Sequence, residues 1–296
     1  MSLSIRDIQE KKTKSEKITV LTAYDLTSAK ICDKAGIDIA LVGDSAGMVM
    51  MGYPNTISVT MEEMIVFCRS VVNGSKNSLI VADMPFGSYQ FDSALAVANA
   101  VKLIKLGCHA VKIEGGMEVL PLIRELTNFG IPVMGHIGLK PQTTILWQGY
   151  RVQGKTFDSA KELYNQAIEI ERAGAFSLVL ELVTKEVSYE ISRMLAIPTI
   201  GIGSGSGCDG QVLVYHDLLG LFDNFKPKFV KRYVESFLLN LEAVKTYKAE
   251  IKSGVFPGEE HSFSMPTEES IRFTNYLSTL RNHNIPNKNE KQKGQK

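Results

Sequence analysis

Five apolar runs in this sequence end on side chains that could do acid–base or metal chemistry. These side chains are Asp44, Asp83, Lys112 with Glu114, His136 and Glu181. A charge at the end of a buried run is costly unless something compensates for it. Several carboxylates brought to one place therefore indicate a bound metal ion, a lysine partner or shared protons.

The alternation of side chains along each run predicts which way these groups point. In a β-strand, neighbouring side chains lie on opposite faces, and every second side chain shares a face. In FSLVLELV (176–183), three leucines share one face, which suits a covering layer of helices, so Glu181 points the other way. The same parity places Lys112 on one face with Glu114. We expect these groups to point into a common interior.

Each position also has a purely structural explanation. Asp44 could cap the turn in DSAG, and Asp83 could end a strand before the Met-Pro pair that follows it. Lys112 and Glu114 could form an interior ion pair, and the histidine could be a hydrogen-bonded core residue. The glutamate inside LVLELV is the hardest to explain as structure. Together, the positions favour a functional site.

The residue types narrow the chemistry of that site. Oxygen donors without an accompanying set of cysteines and histidines favour a hard cation, Mg²⁺ first. The four cysteines are far apart and form no CxxC pair, so we interpret them as reduced packing residues. The glycine-rich stretch 201–207 could offer backbone amides to a phosphate or carboxylate, or could be a plain flexible turn.

The elements that would position these side chains alternate between strand and helix. Strands are predicted at residues 17–22, 37–43, 78–83, 110–114, 131–136, 176–183, 198–203 and about 217–221. Helices are predicted at residues 25–35, 60–73, 93–106, 118–129, 158–173, 185–195 and 228–252. This alternation predicts parallel βαβ units. Eight units in about 235 residues favour an α/β fold of the (βα)8 TIM-barrel type, whose enzymes build their sites at the carboxyl ends of the strands.

The chain is expected to contain one barrel and a polar extension. We place the catalytic barrel domain at residues 1–265, and a C-terminal extension, expected to be partly disordered, at residues 266–296. The extension ends in PNKNEKQKGQK, which is polar and lysine-rich and is typical of a solubilising tail.

Composition argues against several other classes of protein. Hydrophobic residues make up 44% and charged residues 22%, as in an ordinary globular protein. A formal net charge of +1 gives no global field that would attract nucleic acid or a membrane surface. No run approaches the roughly 18 apolar residues of a spanning helix, and the N-terminal segment lacks the apolar core of a signal peptide. We therefore expect a cytoplasmic protein that binds neither nucleic acid nor membrane.

Long stretches of the sequence resemble the ketopantoate hydroxymethyltransferase (3-methyl-2-oxobutanoate hydroxymethyltransferase) family. The matching stretches, in family order over about residues 1–265, are TAYD (22–25), LVGDSAGM (41–48), VKIEGG (111–116), GHIGLKPQ (135–142), VQGK (152–155), IPTIGIGSG (197–205), DGQ (209–211), HDLLG (216–220) and GVFPGEEHSF (254–263). Several of these stretches are long and specific.

The resemblance implies an activity and its partners. It implies transfer of a hydroxymethyl group from 5,10-methylenetetrahydrofolate to 3-methyl-2-oxobutanoate, giving 2-dehydropantoate (ketopantoate) in pantothenate and coenzyme A biosynthesis. It also implies one Mg²⁺ per subunit and a homo-oligomer, specifically a decamer. Glu181 resembles the family's general base, which would take a proton from C3 of the Mg-chelated oxoacid so that the enolate attacks the one-carbon unit.

The resemblance also implies roles for the other candidate residues. Asp44, Asp83 and Glu114 resemble the carboxylates that contact the metal, the last directly or through water. The oxoacid would be bound by the two aspartates together with Ser45 and Lys112. Apart from the resemblance, strand parity places His136 in the wall of the active site.

Two other functions stay open. A Mg²⁺-dependent carbon–carbon lyase or mutase of the isocitrate lyase or phosphoenolpyruvate mutase type would also use a barrel and carboxylates that hold Mg²⁺. Such enzymes are expected to carry a cysteine-bearing loop of the KKCGH type, and the sequence contains no such stretch. A non-catalytic scaffold or a nucleic-acid-binding protein is suggested only by the lysine-rich tail.

Overall fold

Eight parallel strands close into a barrel in sequence order, β1 to β8, with β8 pairing back onto β1. The computed structural model describes residues 2–146, 151–222 and 226–283, with only the backbone described at 144–146 and 281–283. The strands are β1 (Ile18–Thr22), β2 (Ile39–Val42), β3 (Leu79–Asp83), β4 (Ala110–Glu114), β5 (Val133–Gly138), β6 (Ser177–Glu181), β7 (Thr199–Ile202) and β8 (Gly210–Leu213).

Helices connect and follow the strands. They are α1 (Ile5–Thr13), α2 (Leu26–Ala35), α3 (Ala46–Val49), α4 (Met61–Gly74), α5 (Ser93–Lys105), α6 (Leu120–Asn128), α7 (Phe157–Arg172), α8 (Lys185–Met194), α9 (Tyr215–Leu218), α10 (Ser236–Ser253) and α11 (Thr267–His283). Short 3-10 helices lie at Thr56–Ser58, Met117–Val119, Pro141–Leu146 and Glu259–His261. The predicted (βα)8 barrel is confirmed, and its first seven strands lie within two residues of the predicted positions.

The eighth strand was predicted in the wrong place. Residues 217–221 were expected to form it, but β8 is Gly210–Leu213 and the segment Tyr215–Leu218 is helical. The residues GQVL (210–213) have little β propensity as a group. A short apolar run such as LLGL (218–221) fits a strand or a buried helical turn equally well. The last predicted helix, at 228–252, begins instead at Ser236.

Side-chain caps mark where the main helices begin. The Thr60 hydroxyl accepts a hydrogen bond from the Glu63 backbone N–H, while the Glu63 carboxylate accepts one from the Thr60 N–H, closing a capping box at α4. Asp25 caps α2 in the same reciprocal way with Ser28. Each cap satisfies backbone donors that the first helical turn leaves unpaired.

Every second strand residue faces a packed barrel interior, as parity predicts. The inner core contains Ile18, Val20, Ile39, Leu41, Leu79, Val81, Ala110, Met134, Val179, Ile200 and Val212. The intervening residues, such as Ala40, Ile80 and Leu178, belong to the outer core beneath the helices. Fully buried Ile8 of α1 joins the inner core. The interior is therefore apolar along most of its length, and chemistry is confined to the strand ends.

The backbone at the end of β5 comes very close to the end of β6. Gly138 has φ +96°, and a side chain there would meet the carbonyl of Glu181. The next residue donates its N–H to that same carbonyl, at 2.8 Å from Leu139 N. Leu182, directly after Glu181, also takes a left-handed conformation with φ +48°. Glycine is required at position 138 both for its conformation and for this close approach.

The chain divides into two compact units, Met1–Phe237 and Leu238–Lys296. The first contains the whole barrel. The second contains most of α10 and all of α11, and its described apolar side chains are largely exposed, as at Phe263 and Tyr276. The predicted boundary at residue 265 stays a prediction, and the lysine-rich end at 284–296 lies outside the described residues.

Two further sequence-based interpretations concern packing and membranes. All four cysteines are free and buried, as expected of reduced packing residues. Within the part of the chain that the structure describes, no helix combines the length and the apolar character needed to cross a membrane.

Candidate active site

A cavity of about 390 Å³ opens at the carboxyl ends of the barrel strands. Every candidate residue from the sequence lines it, namely Asp44, Ser45, Asp83, Lys112, Glu114, His136 and Glu181. They come from β2 to β6 and the loops that follow these strands, because each strand of a parallel barrel ends at the same rim. The sequence therefore identified residues that the fold brings together.

Strand register sets five of these side chains next to one another. Asp83 on β3 is paired with Lys112 on β4, and Glu114 on β4 is paired with His136 on β5. The Lys112 Nζ atom lies 2.8 Å from Asp83 Oδ1 and 3.6 Å from Glu114 Oε1. His136 follows, with Nδ1 3.5 Å from Glu114 Oε1 and Nε2 3.3 Å from Glu181 Oε2. We call these five residues the charged row.

Acidic and basic side chains alternate along the charged row, and the three in its middle, Lys112, Glu114 and His136, shift one another's pKa. Burial acts to raise the pKa of Glu114, but His136 and Lys112 outweigh it and lower the pKa to about 2. Burial and Lys112 act to lower the pKa of His136, but Glu114 and Glu181 raise it to about 9. Burial likewise opposes the charge of Lys112, yet Asp83 and Glu114 raise its pKa further above the usual range. At neutral pH, Glu114, His136 and Lys112 are therefore all charged.

Asp44 lies beside the charged row without a cation of its own among the described residues. Its backbone N–H donates to Asp83 Oδ2 at 3.1 Å, and its side chain is buried. Burial, together with the charges of Asp83 and Glu114, raises the pKa of Asp44 well above its usual value. Ionisation of Asp44 is therefore costly here unless a further cation binds beside it.

Two buried carboxylates side by side, Asp44 and Asp83, offer the oxygen donors that suit a divalent cation such as Mg²⁺. Among the residues described, no three His, Cys, Asp or Glu side chains are arranged to enclose a metal on their own. Mg²⁺ does not need such a cage, since it is usually held by one or two carboxylates and completed by water and substrate. Asp44 and Asp83 fit that pattern. Glu114 lies beside both Lys112 and His136. The metal contacts of all three carboxylates stay predictions.

Ser45 is held in place by a buried tyrosine. The Tyr24 hydroxyl lies 2.8 Å from Ser45 Oγ, and its ring packs 5.6 Å from that of His216. The nearby Gly43 gives room for this arrangement, because a side chain there would come within 2.8 Å of Ser45 Oγ. Tyr24 was not singled out from the sequence, although it stands in the TAYD stretch.

Gln142 and Tyr89 are further polar residues that sequence reasoning missed. Gln142 Nε2 donates to Asp44 Oδ2 at 2.9 Å, and the Tyr89 hydroxyl donates to Gln142 Oε1 at 2.7 Å. Gln142 lies in the short 3-10 helix Pro141–Leu146 and Tyr89 in the loop after β3, where strand parity does not predict the direction of a side chain. The only signal for Gln142 was its place at the end of the GHIGLKPQ stretch.

The opposite wall of the cavity is mainly apolar. It is formed by residues from β7, β8 and the segment beyond, including Val214, Phe222 and Phe229. Asp217 interrupts this wall, and burial raises the pKa of its carboxyl group. From the glycine-rich stretch 201–207, only Ile202 is among the lining residues described.

Solved structures with a similar fold come from a broad group of enzymes. The structure of 2,3-dimethylmalate lyase, a PEP mutase/isocitrate lyase superfamily member, matches with a TM-score of 0.55 and 13% identity, covering 96% of this chain and 98% of the other. Phosphonopyruvate hydrolase, in a complex with oxalate and Mg²⁺, matches with a TM-score of 0.56 and 10% identity, covering 96% and 100%. At such low identity these likenesses show the fold alone.

Comparisons of sequence identify the family of this chain, which the comparisons of fold do not. The family model described as ketopantoate hydroxymethyltransferase matches residues 2–259. The 3-methyl-2-oxobutanoate hydroxymethyltransferase of Nitrosopumilus maritimus (strain SCM1) is 53% identical over 269 residues, which are 91% of this chain and 96% of the relative. The family match includes all eight strands of the barrel, and the relative is aligned over nearly the whole of both chains. Both findings agree with the resemblance seen in the sequence. The chain belongs to the ketopantoate hydroxymethyltransferase family.

Proposed function

We propose that this enzyme transfers a hydroxymethyl group to 3-methyl-2-oxobutanoate, giving ketopantoate for pantothenate synthesis. In this reaction 5,10-methylenetetrahydrofolate supplies the carbon and leaves as tetrahydrofolate, and water supplies the hydroxyl oxygen. The observation that carries the proposal is the charged row, which ends on Glu181 at a cavity large enough for a small oxoacid. Family membership makes the hydroxymethyl transfer the reaction to assign to it. The folate donor, the metal and the roles of single residues are proposals.

Glu181 is suited to remove the C3 proton of the oxoacid. Its carboxylate is the most exposed of the charged row, at 14% for the side chain, while His136 behind it is 2% exposed. The proton acceptor therefore faces the cavity, and the charged imidazole holds it from behind at 3.3 Å. A positioned carboxylate of this kind contributes about 10²- to 10⁴-fold to a proton transfer.

Lys112 and Ser45 would bind the oxygen-bearing end of the substrate. Lys112 supplies positive charge close to the developing enolate oxygen, in a site largely screened from water. Asp44 and Asp83 would hold one Mg²⁺ per subunit. When bound, the cation would serve as a Lewis acid for the carboxylate and keto oxygens of the oxoacid.

The apolar wall would contact the apolar part of the oxoacid. It lies across the cavity from the charged row and includes Phe222 and Phe229. An isopropyl group placed there would leave C3 between the apolar wall and Glu181, where the enolate can meet the one-carbon unit. The homodecameric assembly, the absence of nucleic-acid partners and the cytoplasmic location remain expectations.

A lyase or mutase of the phosphoenolpyruvate mutase type is not favoured. The likeness to such enzymes is confined to the fold, whereas the relative at 53% identity is named a hydroxymethyltransferase. The four cysteines are also buried, so none is presented on an exposed loop.

The first experiment measures ketopantoate formed from 3-methyl-2-oxobutanoate, methylenetetrahydrofolate and Mg²⁺. Parallel reactions omit the metal or replace the folate with free formaldehyde, which identifies the donor. Product that requires both folate and Mg²⁺ is expected. Absence of ketopantoate under all of these conditions would refute the proposed reaction.

The second experiment tests whether Glu181 is the base that removes the C3 proton. Glu181→Gln is expected to slow deuterium exchange at C3 of the oxoacid, followed by proton NMR without folate, by about 10²-fold or more. Glu186→Gln, at an exposed glutamate of α8, is the control and should exchange like the wild-type enzyme. Undiminished exchange in Glu181→Gln would remove that residue from the role of base.

A further inference from the structure

Gln142 lies at the centre of a buried hydrogen-bond network between neighbouring loops. Its side chain is 2% exposed. Nε2 donates to Asp44 Oδ2 and to the carbonyl of Met84, at 2.9 Å in both cases. Oε1 accepts from the Tyr89 hydroxyl at 2.7 Å and from Gln90 Nε2 at 3.3 Å. Both hydrogens and both lone pairs of the amide are therefore in use.

These partners allow only one orientation of the amide. If the amide of Gln142 were reversed, its oxygen would face the carboxylate of Asp44 and the carbonyl of Met84, which are both acceptors. Its NH₂ group would then face the Tyr89 hydroxyl. The existing arrangement keeps a donor on Asp44, and a donor at this distance favours the ionised carboxylate over the neutral acid.

The backbone of the same residue reaches a second carboxylate. The Gln142 N–H donates to Glu114 Oε2 at 3.1 Å. Tyr89 supports this side as well, because its hydroxyl lies 3.0 Å from the Glu114 carbonyl oxygen and 3.2 Å from the Glu114 backbone nitrogen. One loop after β5 thus holds Asp44, from the loop after β2, in a fixed relation to Glu114 on β4.

We infer that Gln142 is a positioning residue that orients the Asp44 carboxylate toward a divalent cation. The hydrogen bond to Oδ2 prevents rotation of the carboxylate and leaves Oδ1 as the oxygen for the cation. This inference rests on the proposed function, in which Asp44 and Asp83 hold Mg²⁺. Partners that orient metal-binding groups from behind typically change metal affinity by about 10- to 100-fold when they are removed.

The test compares Gln142→Met with the wild-type protein. Methionine keeps the length and most of the volume of glutamine but makes none of its hydrogen bonds. Gln166→Met on α7 is the matched control, since the half-buried Gln166 side chain hydrogen-bonds, among the described residues, to Glu162 one turn earlier on the same helix. Isothermal titration calorimetry of the complete protein with Mg²⁺ alone measures affinity, independently of turnover.

Gln142→Met should weaken Mg²⁺ binding by about 10- to 100-fold, whereas the control should leave it unchanged. In the ketopantoate assay, the Mg²⁺ concentration for half-maximal rate should rise by the same factor, and saturating Mg²⁺ should restore most of kcat. A residue that served only packing would lower the folded fraction instead, without moving the Mg²⁺ dependence. Tyr89→Phe, which removes one anchor of the amide, should shift the affinity in the same direction by less.

Two results would overturn the inference. If folded Gln142→Met binds Mg²⁺ as tightly as the wild-type protein, Gln142 does not position Asp44 for a cation. If Gln142→Met does not fold, unchanged affinity in Tyr89→Phe leads to the same conclusion. A wild-type protein that binds no Mg²⁺ would overturn the inference and the metal part of the proposed function together, which separates the two kinds of failure.

Discussion

Removing the ammonium group of Lys112 should destabilise the protein far more than removing any surface lysine. The Lys112 side chain is 5% exposed, and the carboxylates beside it, Asp83 and Glu114, are 4% and 3% exposed. Lys112→Met leaves Asp83 buried next to Asp44 without its cation, and leaves Glu114 with His136 but without the ammonium group. Breaking a buried ion pair from one side costs about 3–5 kcal/mol. For a barrel of this size that corresponds to a midpoint about 6–20 °C lower.

The matched control is Lys140→Met. Lys140 makes an ion pair of equal length, 2.8 Å to Glu118, but the two side chains are 27% and 60% exposed. Such a pair contributes only about 0–1 kcal/mol. Urea unfolding of both variants in EDTA, followed by circular dichroism, gives the two free energies of unfolding. Equal losses in the free energy of unfolding in the two variants would show that the buried ion pairs of Lys112 stabilise the protein no more than the exposed pair of Lys140.

The same substitution should separate metal binding from catalysis. A buried ammonium repels a divalent cation, so Lys112→Met should bind Mg²⁺ more tightly than the wild-type protein and gain more thermal stability from it. Turnover should nevertheless fall, because the positive charge near the enolate oxygen is gone. Weaker Mg²⁺ binding in this variant would contradict the repulsion on which the prediction rests.

Two further predictions concern the row and the backbone beside it. The pKa of His136 is raised from 6.5 to about 9, so its charge stabilises the folded state fully below pH 6.5, and this contribution is lost as the pH rises through 9. Relative to His136→Gln, the wild-type protein in EDTA should therefore lose up to about 3 kcal/mol between pH 6 and pH 10; a constant difference in urea unfolding would disprove this. Gly138→Ala should destabilise the protein by more than about 2 kcal/mol and lower kcat, because the added methyl group meets the Glu181 carbonyl. Gly130→Ala, with φ +78° and open space around it, should show only the strain of about 1–2 kcal/mol, and equal losses in the two glycine variants would exclude the clash.

The charged row could be predicted because it follows from strand geometry. A period of two fixes the direction of Lys112, Glu114 and Glu181 once their strands are recognised. The common polarity of parallel strands then brings them to one rim. Neither step requires knowledge of distant contacts, so local sequence was sufficient.

The residues that were missed depend on loops and on long-range pairing. Gln142 and Tyr89 acquire their roles only when the loops after β5 and β3 pack against each other, and no short-range pattern encodes that packing. The strand Gly210–Leu213 is specified by its pairing with Ile18–Leu21, which is its neighbour in the barrel but lies far away in the sequence. This pairing contributes more than the weak propensity of its own four residues.

The charged row of Asp83, Lys112, Glu114, His136 and Glu181 has a consequence for how the enzyme responds to pH. Neighbouring groups in it are separated by 2.8, 3.6, 3.5 and 3.3 Å, so a proton gained at one position changes the field at the next. Lys112, Glu114 and His136, which shift one another's pKa, titrate as a coupled group. The limbs of a pH–rate profile will report macroscopic ionisations shared by these three residues, and a substitution at one of them will redistribute protons over the other two.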